Sequence, residues 1–223
     1  MRRRRWWGVL AAIAAVFALA LYVFAIHWRP STETYDMQGV DVSAANGAVD
    51  WVAVKAAGAA FGYVAATSGN DRDAAFEDNW RGAASARLRR GAIHIWSLCA
   101  PATDQANNFN TTAPQSDDSL PPALSLDFVA GCDARPERAA VLAELARFIA
   151  MVEAHSRRPV LLLVSRAFEA RYRVTAAIDR PVWSAQNFFA PDYAARPWRM
   201  WRASDMRRID GVDGPINWDV VAK

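Results

Sequence analysis

An uncharged run over residues 6–26 limits most strongly how this chain can be arranged. It follows four consecutive arginines at positions 2–5, and at roughly 1.5 Å per helical residue it is long enough to cross the hydrocarbon core of a bilayer. Basic residues before the run and few charges after it place the amino terminus in the cytoplasm, while Trp6, Trp7 and Trp28 suit the two membrane interfaces. We therefore expect one transmembrane helix.

The same segment has a second interpretation, a cleaved signal peptide, because Ala18 and Ala20 offer small residues for cleavage. The apolar run continues as far as Phe24, which favours an uncleaved anchor. We expect an inner-membrane protein with four parts: a cytoplasmic basic tail (1–5), a transmembrane signal anchor (6–28), a linker (29–34) and one periplasmic domain (35–223).

The charge of the outer domain excludes one large class of partners. The chain has 26 basic residues, of which four precede the apolar run, so 22 basic residues face 23 acidic residues beyond the anchor. A near-neutral domain offers no basic stripe to neutralise phosphates, and doublets such as Arg89 with Arg90 are typical of solvated helix or turn surfaces. We expect no nucleic-acid partner.

The domain contains two cysteines, Cys99 and Cys132. An oxidising compartment would let them persist as a disulfide, and the alternative is two separately buried thiols. The chain has three histidines, and none lies at ligand spacing to either cysteine, so we expect neither a metal site nor a cofactor.

Beyond residue 35, apolar runs typical of buried strands alternate with segments of helical period, the pattern of a parallel sheet wrapped by helices. The predicted strands cover 35–42, 60–66, 91–96, 123–128, 160–164, 181–184 and 198–203. Helices are predicted after Asp50, after Asp73, over 104–109, from Pro136 to near Ser156, and over 167–172. We predict an α/β fold, a single TIM-like (β/α) barrel that is incomplete in its last helices.

In such barrels the active site lies at the carboxyl ends of the strands, so polar residues there are the candidates. They are Asp41, Thr67, His94, Asp127, Asn217 and Asp219. Asp41 has the alternative of capping a turn, and His94 has the alternative of being a core histidine with satisfied hydrogen bonds. A carboxylate inside an apolar stretch is costly to bury unless paired or functional, so Asp127 is the strongest candidate for function.

Short motifs in order along the chain resemble those of the family-25 glycoside hydrolases, the lysozyme-type muramidases. They lie at 39–43 (GVDVS), 47–51 (GAVDW), 66–69 (ATSG), 91–94 (GAIH), 120–124 (LPPAL) and 211–214 (GVDG). The resemblance covers nearly the whole chain after residue 35. It implies a flattened barrel with a groove for the glycan strands of peptidoglycan, and β-1,4-N-acetylmuramidase activity in cell-wall turnover.

The fourth strand of that family usually carries Asp-x-Glu, in which the Glu is the general acid and the Asp assists at the substrate acetamido group. This chain has Ser125 and Asp127 at those positions. The resemblance then implies Asp127 as acid and Asp41 as stabilising carboxylate. It also implies that the groove is lined by His94, Thr67, Ser125, Trp201 and Asn217.

Further departures surround that pair. Asn217 stands where the family has Asp, and Ala65, Ile93 and Arg202 stand where it has a basic residue, Tyr and Gln. Two hypotheses follow: a muramidase of reduced activity, or a non-catalytic module that binds peptidoglycan or acts as a scaffold.

Overall fold

The computed structural model describes residues 2–116 and 118–223, with side chains from residue 6 onward. It begins with the helix α1, Arg2–His27. Within it, the span Trp6–His27 is long and apolar enough to cross a membrane by length and composition, and its apolar side chains are exposed. The rest of the chain forms a closed barrel with helices packed against part of its outer face.

The barrel has eight strands, because the first strand pairs with both the second and the last. A ninth, two-residue strand pairs with the second as a short hairpin. The strands are β1 Gln38–Val42, β2 Phe61–Ser68, β3 Asp71–Arg72, β4 Arg89–Ile95, β5 Ala123–Leu126, β6 Leu161–Ser165, β7 Val182–Ala185, β8 Trp198–Arg207 and β9 Ile216–Val221.

The helices that cover the barrel cluster along its first six strands. They are α2 Trp51–Ala56, α3 Phe76–Ser85, α4 Ala102–Thr112, α5 Arg138–Ser156, α6 Arg166–Tyr172 and α7 Val174–Ala177, with a short 3-10 helix at Ala44–Asn46. No helix separates β7 from β8, or β8 from β9, and β9 is antiparallel to both of its neighbours. The prediction of a barrel incomplete in its last helices is confirmed, and the antiparallel strand makes it only loosely TIM-like.

Successive strand residues alternate between the barrel interior and the layer beneath the helices. Rings such as Phe61, Tyr63 and Trp183 fill the interior, and Gly39 and Gly91 make room for them. A Cβ atom on Gly91 would lie 2.3 Å from the Tyr63 ring, so a larger residue there would displace that ring.

The predicted disulfide is present. Cys99 lies in the loop after β4 and Cys132 in the loop after β5, and their Cα atoms are 5.8 Å apart. The bridge joins two loops at the carboxyl ends of neighbouring strands.

Several boundaries differ from the sequence predictions. The first strand begins at Gln38 rather than at residue 35, and β9 was not predicted. Asp73 does not cap α3, since its carboxylate accepts from the amides of Ala44 and Ala75 while the helix begins at Phe76.

The predicted linker, 29–34, belongs to a segment packed against the barrel. Trp28 and Tyr35 lie on the outer face of the last strands, against Trp201. Arg29 donates to the carbonyl of Ala57. The chain between α1 and β1 is therefore part of the folded domain.

Candidate active site

The candidate site is a set of polar side chains facing inward at the carboxyl ends of the barrel strands. Asp41 and Asn217 are cross-strand partners on β1 and β9, and Arg202 lies on the neighbouring β8. Ser125 and Asp127 come from the end of β5 on the other side of the barrel. The fold thus places these five residues at one end of the interior, which was the expected position for four of them.

Asp41 is buried and held on both oxygens. Arg202 donates from Nε to Oδ2 at 2.8 Å and from Nη2 to Oδ1 at 2.7 Å, and Asn217 donates from Nδ2 to Oδ1 at 2.8 Å. Bidentate pairing of this kind fixes both side chains and neutralises the carboxylate. Asp41 is therefore committed to Arg202, which limits its capacity to stabilise positive charge on a substrate.

Asp219 lies one inward position below Asn217 and is fully buried. Its Oδ1 accepts from the indole nitrogen of Trp183 at 3.1 Å. Burial, and then the neighbouring Asp41 carboxylate, raise the pKa of Asp219 well above its usual range. Asp219 therefore favours the neutral form and acts as part of the barrel interior.

Asp127 is exposed at the end of β5. Its Oδ1 accepts from the Ser165 hydroxyl and from the Phe128 amide, both at 2.8 Å. No hydrogen bond to Oδ2 occurs within the described part of the chain, so this oxygen is open to solvent or a ligand. Asp127 is not the buried carboxylate that the apolar stretch predicted, because the strand ends just before it, at Leu126.

His94 does not lie in the cleft, which corrects the prediction for this residue. It faces outward into the layer beneath the helices, fully buried and stacked on Phe148 with ring centroids 4.7 Å apart. Its Nδ1 is 2.7 Å from the Thr67 hydroxyl and its Nε2 is 3.0 Å from Oε1 of Gln105. Both ring nitrogens are satisfied, so His94 is a core histidine.

Gln105 determines the tautomer of His94. Its Oε1 also accepts from the Ser97 amide, while its Nε2 donates to the carbonyls of Ser97 and Ala100. These contacts fix Oε1 of Gln105 as a hydrogen-bond acceptor toward His94. Nε2 of His94 therefore carries the hydrogen, and Nδ1 accepts from the Thr67 hydroxyl. Burial lowers the pKa of His94 to about 4, which keeps it neutral.

Thr67 and Trp201 are likewise placed outside the groove. Thr67 is fully buried beside His94, after an irregularity in β2 that shifts its register. Trp201 alternates with the inward-facing Arg202, and its ring lies on the outer face under Trp28 and Tyr35. Neither side chain lines the cleft, because each points away from the barrel interior.

Two contributions were missed from the sequence. Ser165 ends β6 beside Asp127, and the rule that selected other strand ends applies equally to this residue. The pairing of Arg202 with Asp41 spans 161 positions, and no local pattern indicates it.

A large apolar cavity of about 410 Å³ lies at the opposite end of the barrel. Its lining includes Phe61, Leu161 and Met200. Phe61 and Leu161 are the first residues of β2 and β6, and Met200 lies near the start of β8. The cavity is therefore separate from the cleft. Across residues 2–116 and 118–223, no cluster of His, Cys, Asp or Glu side chains has a metal-binding arrangement.

Known proteins share this architecture. The structure of a family 25 glycosyl hydrolase from Bacillus anthracis superimposes with a TM-score of 0.81 at 26% identity, covering 88% of this chain and 93% of that one. A bacterial lysozyme from Streptomyces coelicolor gives a TM-score of 0.78 at 25% identity, covering 84% and 92%.

Proteins of similar sequence are also known. Uncharacterized protein YegX of Escherichia coli K12 is 27% identical over 194 residues, covering 84% of this chain and 70% of the relative. Lysozyme M1 of Streptomyces globisporus is 28% identical over 203 residues, covering 83% and 67%. The family model "Glycosyl hydrolases family 25" matches residues 40–212, which is more than half of the chain. This protein therefore belongs to glycosyl hydrolase family 25.

Proposed function

We propose that this protein is a membrane-anchored β-1,4-N-acetylmuramidase of reduced activity, acting on peptidoglycan from the periplasmic face of the inner membrane. The observation that carries the proposal is Asp127, an exposed carboxylate at the end of β5 with one oxygen held and the other open. The lysozyme names of its relatives support the substrate class. The anchor is supported by the length and composition of α1.

In this reaction Asp127 donates a proton to the glycosidic oxygen as its bond to the sugar breaks, and water completes hydrolysis. The acid is one methylene shorter than the usual Glu, and a misplacement of about 1 Å can cost roughly 100-fold in rate. Ser125 supplies no negative charge, which typically costs about 100-fold or more. Asp41 cannot replace that charge while both its oxygens are paired with Arg202.

That last contact favours a second candidate function, a non-catalytic module that binds peptidoglycan or acts as a scaffold. A neutralised carboxylate still contributes shape and hydrogen bonds to a glycan groove, whereas it contributes little to an oxocarbenium-like transition state. Binding therefore survives changes that remove catalysis.

The deciding experiment measures release of soluble muropeptides from purified peptidoglycan by the full-length protein in vesicles. We expect the native protein to be at least about 100-fold slower than an intact family member. Asp127→Asn should abolish the residual activity, because an amide cannot deliver the proton. Asp36→Asn, an exposed carboxylate before β1 at the other end of the barrel, is the matched control and should change nothing.

The double change Ser125→Asp with Asp127→Glu should restore activity if the remaining groove is sound. If this variant binds peptidoglycan but stays inactive, the binding function replaces the muramidase. A native protein that is fully active and indifferent to Asp127→Asn would refute the assignment of the acid.

A further inference from the structure

The end of α1 is joined to the barrel at the same end as the cleft. The amide of Arg208 donates to the carbonyl of Ile26 at 2.8 Å, and Nη1 of Arg207 donates to the carbonyl of His27 at 2.7 Å. Arg207 is the last residue of β8, and Arg208 follows it directly.

That end of β8 projects beyond the cleft. Arg202, which pairs with Asp41, lies opposite Ala185, the last residue of β7. The strand then continues to Arg207, which at about 3.3 Å per residue extends it by roughly 15 Å. The helix therefore meets the barrel at or above the level of the cleft residues.

This joint, formed by the hydrogen bonds of residues 26–27 with residues 207–208, leaves little free chain between α1 and the barrel. The Trp28 ring, directly after α1, lies 5.2 Å from Phe188 and 6.3 Å from Trp201, measured between centroids. The next residue, Arg29, donates to the carbonyl of Ala57 at the end of α2, so directly after α1 the chain runs along the barrel wall toward the other end. A bilayer that contains α1 is thus held close to the edge of the barrel at which the joint lies.

The same edge carries an unpartnered aromatic side chain. Phe189 follows Phe188 in the loop after β7 and is 74% exposed, the highest fraction among the exposed large apolar side chains of residues 28–116 and 118–223. Arg208 is also exposed there. Aromatic rings with basic residues at a helix end suit the interface of a membrane with anionic lipids.

We propose that Phe189 and Arg208 rest in the headgroup region of the bilayer spanned by α1, so that the cleft opens beside the membrane surface. The glycan that it takes is then a strand lying close to the membrane rather than one in the outer part of the wall. This inference rests on the proposed function for the substrate and on the proposed span for the membrane.

The test places an environment-sensitive nitrobenzoxadiazole label on the full-length protein, in vesicles of phosphatidylethanolamine and phosphatidylglycerol. Phe189→Cys carries the label at the cleft end. Met37→Cys, which is 43% exposed at the opposite end, is the matched control. The two native cysteines are bonded to each other and do not react. Lipids with headgroup-proximal nitroxides should quench the label at 189 at least about threefold more than the label at 37.

A flexible insertion between His27 and Trp28 should reduce the quenching at 189, because the contact depends on the joint. If the protein enters vesicles and the two labels are quenched equally, the inference is wrong while the proposed function stands. If the protein does not enter vesicles, the span and this inference both fall.

The substrate is tested with glycan strands linked to vesicle lipids and the same strands free in solution. Preferential cleavage or retention of the linked strands, by at least about threefold, is expected. Equal treatment overturns the preference for membrane-proximal glycan. Action on neither, with quenching at 189 intact, overturns the proposed function instead.

Discussion

Asp41 and Arg202 form an ion pair at the mouth of the barrel, with side chains 7% and 21% exposed. Removing one partner of a buried pair leaves a charge without its counterion, which typically costs 3–5 kcal/mol. Because Arg202 is partly exposed, we expect the cost of breaking this pair to lie at the lower end of that range.

We expect Arg202→Gln to lower the free energy of unfolding by about 3 kcal/mol, measured by urea denaturation. The control is Arg166→Gln, which breaks an exposed pair with Asp192 and should cost less than about 1 kcal/mol. Equal losses in the two variants would contradict the structural role assigned to the Asp41 pair.

Because His94 is buried in its neutral form, we expect the free energy of unfolding to depend on pH. Its pKa is about 4 when folded and near 6.5 when unfolded, so between these values the unfolded chain binds more protons. The stability that the neutral ring contributes is full above about pH 6.5 and is lost as the pH falls toward 4, by about 3 kcal/mol.

His94→Gln should be less stable at neutral pH and should remove that part of the acid dependence, as measured by urea denaturation at several pH values. His155→Gln changes a half-exposed histidine and should keep the dependence. An unchanged pH profile in the His94 variant would show that another group is responsible.

The sequence placed Asp41 and Asp127 at the correct end of the barrel, because the end of a parallel strand can be read from its apolar run. Asn217 lies on the antiparallel β9, which was not predicted, and it was assigned to the site through the family resemblance. The sequence-based prediction placed His94 wrongly for a physical reason. A strand buried on both faces is apolar on both, so its sequence does not tell which face is the interior. Ile93 points inward and His94 outward, and only the pairing of the strands settles that choice.

At the scale of elements, the long helix α5 and the strand β6 were predicted to within about two residues. Their apolar residues recur at the period of the element, as Val141, Leu145 and Phe148 do. The last strand, β9, was missed because it carries Asn217 and Asp219 toward the interior. Asn217 donates to Asp41 on β1 and Asp219 accepts from Trp183 on β7. These partners lie far away in sequence, so local propensity does not reveal them.

The disulfide gives an element-scale prediction. It closes a separation of 33 residues between the loops after β4 and β5, and loop-closure entropy gives it about 3–4 kcal/mol. Replacing both Cys99 and Cys132 by Ser should lower the free energy of unfolding by that amount. Adding reductant should lower the native protein to the level of the variant and leave the variant unchanged, and a reductant-insensitive native protein would show that the bridge does not form.

For the whole molecule, the alternation of strands and helices predicted a parallel sheet wrapped by helices, which a barrel accommodates in one domain, and the family resemblance implied the same barrel. The attachment of α1 was not predictable. Trp28 looked like an interfacial residue and 29–34 like a linker, yet the segment packs on the outer face of the last strands. A short polar stretch carries no signal for such packing, because its partners lie far away in sequence.

Because of this attachment, β8 would carry force between the cleft and α1. On the proposed function, a glycan strand held in the cleft would belong to the wall, whereas α1 would lie in a bilayer that moves relative to the wall. On the same proposal, tension between the two would enter at the cleft and leave through the carboxyl-terminal end of β8, which lies at the same end of the barrel and is hydrogen-bonded to α1. Load applied along a strand is shared by its ladder of hydrogen bonds to β9 instead of opening them one by one. The barrel would thus carry tension between wall and membrane, whether or not it cuts the glycan strand that it holds.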